Sequence, residues 1–334
     1  MLSRLAASRE VLFVGGKGGV GKTAVASALA LALARAGRQV LLVSTDPAHN
    51  LGHLWERRVG DEPTELAPLL RGLEIDPART TDEHLAAVRS TMERLMPEHL
   101  QGEVRRHLEL ARDAPGTHEA AVLERIAEVV EQRHPDELVI FDTAPSGHTS
   151  RLVALPELMQ AWTGGLVRRQ QRSARFGEAL RGLQSRGSRD VGDRAAADVV
   201  GNSAPVDRRG RRDAEIRQIL DRRQGRFTAL RALLQDDTRS SFVIVLAAER
   251  LPVLESVDLH GQLARAGMAV GALVVNKRSP ADAGPLLADR REVEQRYVDQ
   301  VRSELPGLPL VEVPLLPGEL VGEQALLRVA RDLG

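Results

Sequence analysis

The apolar residues of this chain fall into two kinds of pattern. Short unbroken runs at 11–14, 40–43, 138–141, 242–246 and 270–275 carry no polar alternation. Runs of that length predict strands buried on both faces, as in a parallel sheet. Leu73–Ile75 and Leu310–Val313, each with one Glu inside, read as two more short strands. Between the runs, apolar residues recur at three- and four-residue spacing, which predicts helices. The first follows a glycine-rich loop and extends to about Ala36, with Gly37 at a C-cap position. Others are predicted over 81–112 with an interruption near Pro97, and over 119–132, 151–183, 213–234, 253–266, 290–304 and 319–333. Strands alternating with helices define an α/β chain, a doubly wound, mostly parallel sheet with helices on both faces. No internal repeat is present, so residues 1–334 make one domain. The segment 182–212, rich in Gly, Ser, Asp and Arg, reads as a flexible loop.

Composition narrows the classes. Apolar residues at 43% suffice for a core and exclude global disorder, and aromatics at 2% mean that Leu, Val and Ala must build it. No stretch approaches the ~18 consecutive apolar residues of a membrane span, and the N-terminus does not resemble a signal peptide. A cytoplasmic protein is expected, reaching membranes only at their periphery. The absence of cysteine excludes disulfides, zinc or other thiolate metal sites and Cys nucleophiles. Net charge is zero, yet Arg outnumbers acidic residues about two to one between Gly164 and Arg231. Of 46 basic residues only Lys17, Lys22 and Lys277 are lysine. Lys is a compact point charge that a planar guanidinium does not replace, and two of the three fall in one loop.

That loop, Gly15-Gly16-Lys17-Gly18-Gly19-Val20-Gly21-Lys22-Thr23, lies between a predicted strand and a predicted helix. The spacing Gly16-x4-Gly21-Lys22-Thr23 is that of a P-loop, whose backbone N–H groups curl around phosphates at a helix N-terminus. Nucleotide contacts are expected from Gly16 through Thr23 and Ala24. Lys22 is expected on the β and γ phosphates and the Thr23 hydroxyl on Mg²⁺. Lys17, five residues earlier, points away from its own nucleotide in such a loop, and a partner's phosphate gives it a role in trans. Asp142 closes an apolar strand, the position of a carboxylate that holds Mg²⁺ through water. Asp46 closes another; it is a candidate to orient the attacking water, with a helix N-cap as the competing reading. Asn276 at a third strand end offers a donor and an acceptor to an adenine edge, or simply forms a turn. His49 and His53 are spaced for a metal on a helix, but no third ligand accompanies them, and a surface pair is the plainer reading.

Five stretches, GGKGGVGKT (15–23), STDPAHNL (44–51), FDTAPSGHT (141–149), VVNKR (274–278) and VPLLPGEL (313–320), together resemble the arsenite-pump ATPase family, which includes the ATPase that targets tail-anchored membrane proteins. The resemblance implies an Mg²⁺-dependent ATPase with a deviant Walker A loop that closes as a dimer over ATP, with a second copy or a paralogue. It makes Lys17 the lysine that crosses the interface. Asp46, with Pro47, His49 and Asn50, becomes switch I. Asp142 begins switch II, with Thr143, Pro145, Gly147 and His148. Asn276 and Pro314 become adenine contacts. The helices within 80–135 and 151–235 become a client-binding region. There Leu152, Leu155, Leu158, Met159 and Trp162 form one apolar stripe, a client surface or merely core.

Without cysteine, the family's thiolate coupling to metalloid and its Cys-x-x-Cys zinc clasp are both chemically excluded. Three functions compete. The first is nucleotide-gated handling of a hydrophobic or membrane-bound client. The second is energising a membrane permease for an anion through non-thiol contacts. The third is positioning or partition, with the basic segment on anionic lipid or nucleic acid; a solvated Arg-rich loop is the plainer account of that segment, and nucleic acid is the least expected partner.

Overall fold

A computed structural model of the chain describes residues 1–46, 50–95, 117–143 and 204–334, with isolated positions between 102 and 112. Helix α1 spans Leu2–Ala7 and strand β1 Val11–Gly15. Helix α2 (Lys22–Arg35), β2 (Val40–Ser44), α3 (Asn50–Leu54), β3 (Thr64–Ala67) and β4 (Leu70–Glu74) follow. Then come α4 (Pro77–Leu95), α5 (Thr117–Gln132), β5 (Leu138–Asp142) and α6 (Ala204–Gln235). The chain continues through β6 (Ser240–Ala247), α7 (Arg250–Arg265), β7 (Val270–Arg278), α8 (Pro285–Glu304), β8 (Leu310–Pro314) and α9 (Gly322–Leu333).

The strands form one sheet in the order β3-β4-β2-β5-β1-β6-β7-β8. Every pairing is parallel except β3 with β4. β1 sits at the centre because its residues are apolar on both sides. Leu12 and Val14 enter a core with α2 and α9, while Val11 and Phe13 enter a second core with α5, α6, α7 and α8. On that second face Phe13 stacks on Phe141 at 4.9 Å and on Phe242 at 6.1 Å, tying β5, β1 and β6 together. Each fully buried Leu, Val or Phe contributes about 1.5–3 kcal/mol. Among the described residues no helix is long and apolar enough to cross a membrane.

Two differences from the sequence reading have physical causes. β3 and the start of β4 were not predicted, because Thr64-Glu65-Leu66-Ala67 at the sheet edge is half polar and short. Helix α6 begins at Ala204 rather than near Asp213, so the expected loop 182–212 is helical in its last part. Arginine is a good helix former and gives no apolar period to read. The rest of that segment lies outside the described residues.

Helices α4, α5 and α6 are joined by one charged cluster. Glu124 on α5 takes the Arg223 Nε–H from α6 at 2.7 Å and faces His84 Nδ1 on α4 at 2.5 Å. Burial alone raises the Glu124 pKa, but the hydrogen bonds from His84 and Arg223 outweigh it and bring it to about 2. The folded pKa is thus below the unfolded value, so the cluster stabilises fully above pH ~4.5 and ceases to as pH falls towards ~2. Glu124→Gln is expected to lose about 2 kcal/mol at pH 7. Urea midpoints of both proteins should converge as pH is lowered from 5 to 3; a deficit independent of pH would refute the charge-based account.

Candidate functional site

β1 ends in the glycine loop at the carboxyl edge of the sheet, between β5 and β6, where the chain turns back to reach β2 beyond β5. This reversal of strand order is where open α/β sheets bind ligands. The loop needs its glycines. Gly16 has φ +147°, and a Cβ there would sit 2.0 Å from the Val245 carbonyl oxygen. Gly21 has φ +89° as the N-cap of α2, and its Cβ would meet Asn276 Nδ2 at 2.4 Å. The N-terminus of α2 has no side-chain cap and no acidic residue in its first turn, so its first N–H groups are left for another acceptor.

Lys22 is buried, and its Nζ donates to the Lys17 carbonyl at 3.1 Å. Burial lowers its pKa, against the attraction of Asp142 and Asp46. Asp142, at the end of β5, is 1% exposed; the Thr23 and Ser44 hydroxyls lie near its carboxylate, but neither oxygen makes a hydrogen bond of good geometry. Burial raises its pKa to about 7, even though the Thr23 hydroxyl, Lys22 and the Ser44 hydroxyl all pull it down. An orphaned buried carboxylate is costly. Beside a lysine and a threonine hydroxyl, its two free oxygens suit a hydrated divalent cation, so these residues fit Mg²⁺. The backbone fixes this position: Thr143 N and Oγ1 donate to the Val14 carbonyl at 3.0 and 3.1 Å, and Thr45 N donates to the Asp142 carbonyl at 2.9 Å.

Asp46 follows β2, half-buried, and its Oδ2 accepts from Asn50 Nδ2 at 3.4 Å. Lys17 lies on the outer side of the loop, its Nζ 3.0 Å from Glu255 on α7. Gly18 and Gly19 are exposed at the loop tip, Val20 is buried, and Ala24 is buried in α2. Asn276 is buried and its Nδ2 donates to the Val20 carbonyl at 2.8 Å, so the amide braces the loop and keeps Oδ1 and one N–H for another partner. Pro314 ends β8 in register with Arg278, beside that segment. Pro47, His49, Pro145, Gly147 and His148 lie outside the described residues, as does the whole stripe Leu152, Leu155, Leu158, Met159 and Trp162. His53 is exposed, and among the described residues no three acidic or His side chains gather to hold a metal.

Three participants escaped the sequence reading. Glu74, buried at the end of β4, accepts from the N–H groups of Leu51 and Gly52 at 2.8 and 3.1 Å and so anchors α3 just after the Asp46 loop. Glu255 holds Lys17. Lys277 donates to the Gly19 carbonyl at 2.8 Å. The scarcity of lysine was the signal for this last one: all three lysines of the chain meet at one loop.

A glycine loop of P-loop spacing with a buried lysine, beside a buried carboxylate at the carboxyl edge of a parallel sheet, defines a P-loop nucleoside triphosphatase. The family model for anion-transporting ATPases matches residues 9–334. The chain belongs to that family and is an ATP hydrolase. It is 31% identical to the ATPase GET3A of Arabidopsis thaliana, over 96% of this chain and 82% of that protein. With the ATPase GET3 of Podospora anserina it shares 30%, over 96% and 89%. It is 29% identical to a putative arsenical pump-driving ATPase of Aquifex aeolicus, over 97% and 99%.

Proposed function

We propose that this ATPase is a dimeric switch: two copies, or this chain and a paralogue, close over Mg-ATP, and hydrolysis is coupled to handling a hydrophobic or membrane-bound client in the cytoplasm. The observation that carries the dimer is the outward placement of Lys17. Its side chain leaves the loop for Glu255, while its carbonyl faces inward to Lys22. A half-buried lysine whose side chain leaves a phosphate loop acts most simply on a phosphate held by a second subunit. In this reading Lys22 and the loop N–H groups from Gly16 to Ala24 bind the phosphates. Asp46 orients the attacking water, steadied by Asn50. The Thr23 hydroxyl and Asp142 would hold Mg²⁺, which would supply positive charge to neutralise the phosphates. Asn276 and Pro314 flank the adenine. Asp46, Pro47, His49 and Asn50 make one nucleotide-sensing loop, and Asp142, Thr143, Pro145, Gly147 and His148 the other. The helices within 80–135 and 151–235 receive the client, with Leu152, Leu155, Leu158, Met159 and Trp162 as its apolar surface.

The relatives named GET3 favour a client over a permeating ion. Asp46→Asn is expected to retain ATP without turning it over, and in that state to keep a transmembrane-type peptide soluble while the ADP form does not. No capture by a dimer confirmed closed by light scattering would reject the hydrophobic client. The family's description and the Aquifex relative motivate a second reading, an energising subunit for an anion permease. With no cysteine anywhere in the chain, such an anion would have to be sensed without thiolates. ATP turnover stimulated by an oxyanion would favour it, and flat turnover across oxyanions would count against it.

A further inference from the structure

The carboxyl end of β7 departs from regular strand geometry where it meets the nucleotide loop. Opposite β8, Val275 pairs with Glu312 and Arg278 pairs with Pro314, so β7 uses three steps where β8 uses two, a bulge centred on Asn276 and Lys277. Bulges of this kind re-aim side chains. Lys277 takes up the extra residue with φ +60°, a left-handed conformation that is unfavourable for any residue bearing a Cβ. In a regular strand Asn276 and Lys277 would point to opposite faces. Here both reach the same loop: Asn276 donates to the Val20 carbonyl and Lys277 to the Gly19 carbonyl, each at 2.8 Å.

The strained turn is held from its other side. The next residue, Arg278, is 1% exposed and donates to Glu312 at 2.8 Å, to Glu294 at 2.9 Å and to Gln295 at 2.9 Å. Ser279 adds its N–H and hydroxyl to Glu294 at 2.9 and 2.7 Å. A conformation fixed so firmly by its surroundings, next to a ligand loop, is where backbone strain serves a function.

We infer that Asn276 and Lys277 form a latch that turns two N–H groups of the loop toward the phosphates. In a planar trans peptide the C=O of one residue and the N–H of the next point in opposite directions, and the described residues contain no cis peptide bond. Fixing the Gly19 carbonyl on Lys277 and the Val20 carbonyl on Asn276 therefore fixes the opposite direction for the N–H groups of Val20 and Gly21, which the latch presents to the phosphates. Gly19 has open space around it and φ +79°, so without the tether that peptide plane is free to rotate. A lone carbonyl at an exposed loop tip calls for a slim single-point donor, which accounts for lysine here in a chain that otherwise uses arginine. Lys277 is a positioning residue, acting through the loop. The inference rests on the reading of the loop as the nucleotide site.

Because loop N–H groups cradle the α and β phosphates, the latch should affect ATP and ADP alike. Lys277→Gly removes the tether and relieves the left-handed strain, so its melting temperature should hold or rise. Its dissociation constants for Mg-ATP and Mg-ADP, measured by titration calorimetry, should both rise about tenfold. KM should rise with them, and kcat at saturating Mg-ATP should stay within about threefold. Lys277→Met, which keeps the stem and loses the charge, should weaken both nucleotides similarly. Amide exchange at Val20 and Gly21 in the nucleotide-free protein should quicken in both variants. Unchanged affinity in a folded Lys277→Gly protein overturns the latch. So does weakening confined to ATP, which would place Lys277 on the γ phosphate instead. If the native chain takes up no nucleotide, the reading of the loop itself falls.

Discussion

Lys22→Met is expected to leave a folded protein whose ATP hydrolysis has fallen at least about a hundredfold. Lys22 is 6% exposed at the first position of α2, where the helix N-terminus already favours negative charge. Its ammonium rests on a neutral acceptor, the Lys17 carbonyl at 3.1 Å, rather than on a carboxylate. An arriving phosphate thus displaces one carbonyl contact and meets a positive charge that no salt bridge has spent. Burial works against the charged form, while Asp142 and Asp46 sustain it. Methionine keeps the stem and its packing, so the melting temperature should move little. Asp142 loses its nearest cation and should titrate higher still, which a protonated buried carboxyl accommodates without unfolding. Phosphate release at saturating Mg-ATP, with thermal melting as the control, decides the matter. Turnover within tenfold of native in a folded variant would remove Lys22 from the chemistry.

Much of the site was legible because its chemistry is written in short contiguous motifs. The run 11–14, the glycines and Lys22 give a strand, a loop and a helix with little ambiguity, and the structure has β1, the loop and α2 in those places. Asp142 was recognisable directly after four apolar residues and Asp46 separated by two residues from another such run, and adjacent parallel strands bring both ends to one edge. Less legible was whatever depends on pairing between distant segments. Glu74 looks like any strand-end carboxylate until α3 is placed against it. Glu255 is one acidic residue on an ordinary amphipathic helix. Lys277 drew notice through composition and as part of the 274–278 stretch, and nothing local in the sequence announces that a bulge will turn it toward Gly19. The polar face of α6 concealed its first turns for the same reason: without an apolar period, only propensity speaks.

Arg278→Met is expected to destabilise the fold by about 3 kcal/mol or more. The guanidinium is fully buried between β7, α8 and β8, and methionine matches its stem without its charge. What remains is Glu294, 4% exposed. Burial pushes its pKa up, and Ser279, Arg290 and Arg278 together bring it below the usual value. Without Arg278 the balance tips toward burial, although Arg290 still reaches in from solvent at 3.1 Å. Glu312 is better placed, since Arg291 and Arg302 approach it from the surface. The cost should therefore arise chiefly from one uncompensated buried carboxylate. Its folded pKa would lie above the unfolded one, so the variant should recover stability as pH falls from 8 to 5 relative to the native chain. Adding Glu294→Gln should restore part of the loss at pH 8, because the unpaired charge is gone. A deficit in the urea midpoint that ignores both pH and the second substitution would mean that packing, not charge, is what Arg278 supplies. Because the same network braces the left-handed turn at Lys277, the single variant should also bind Mg-ADP more weakly, and Glu294→Gln should return that affinity only in proportion to the stability it restores.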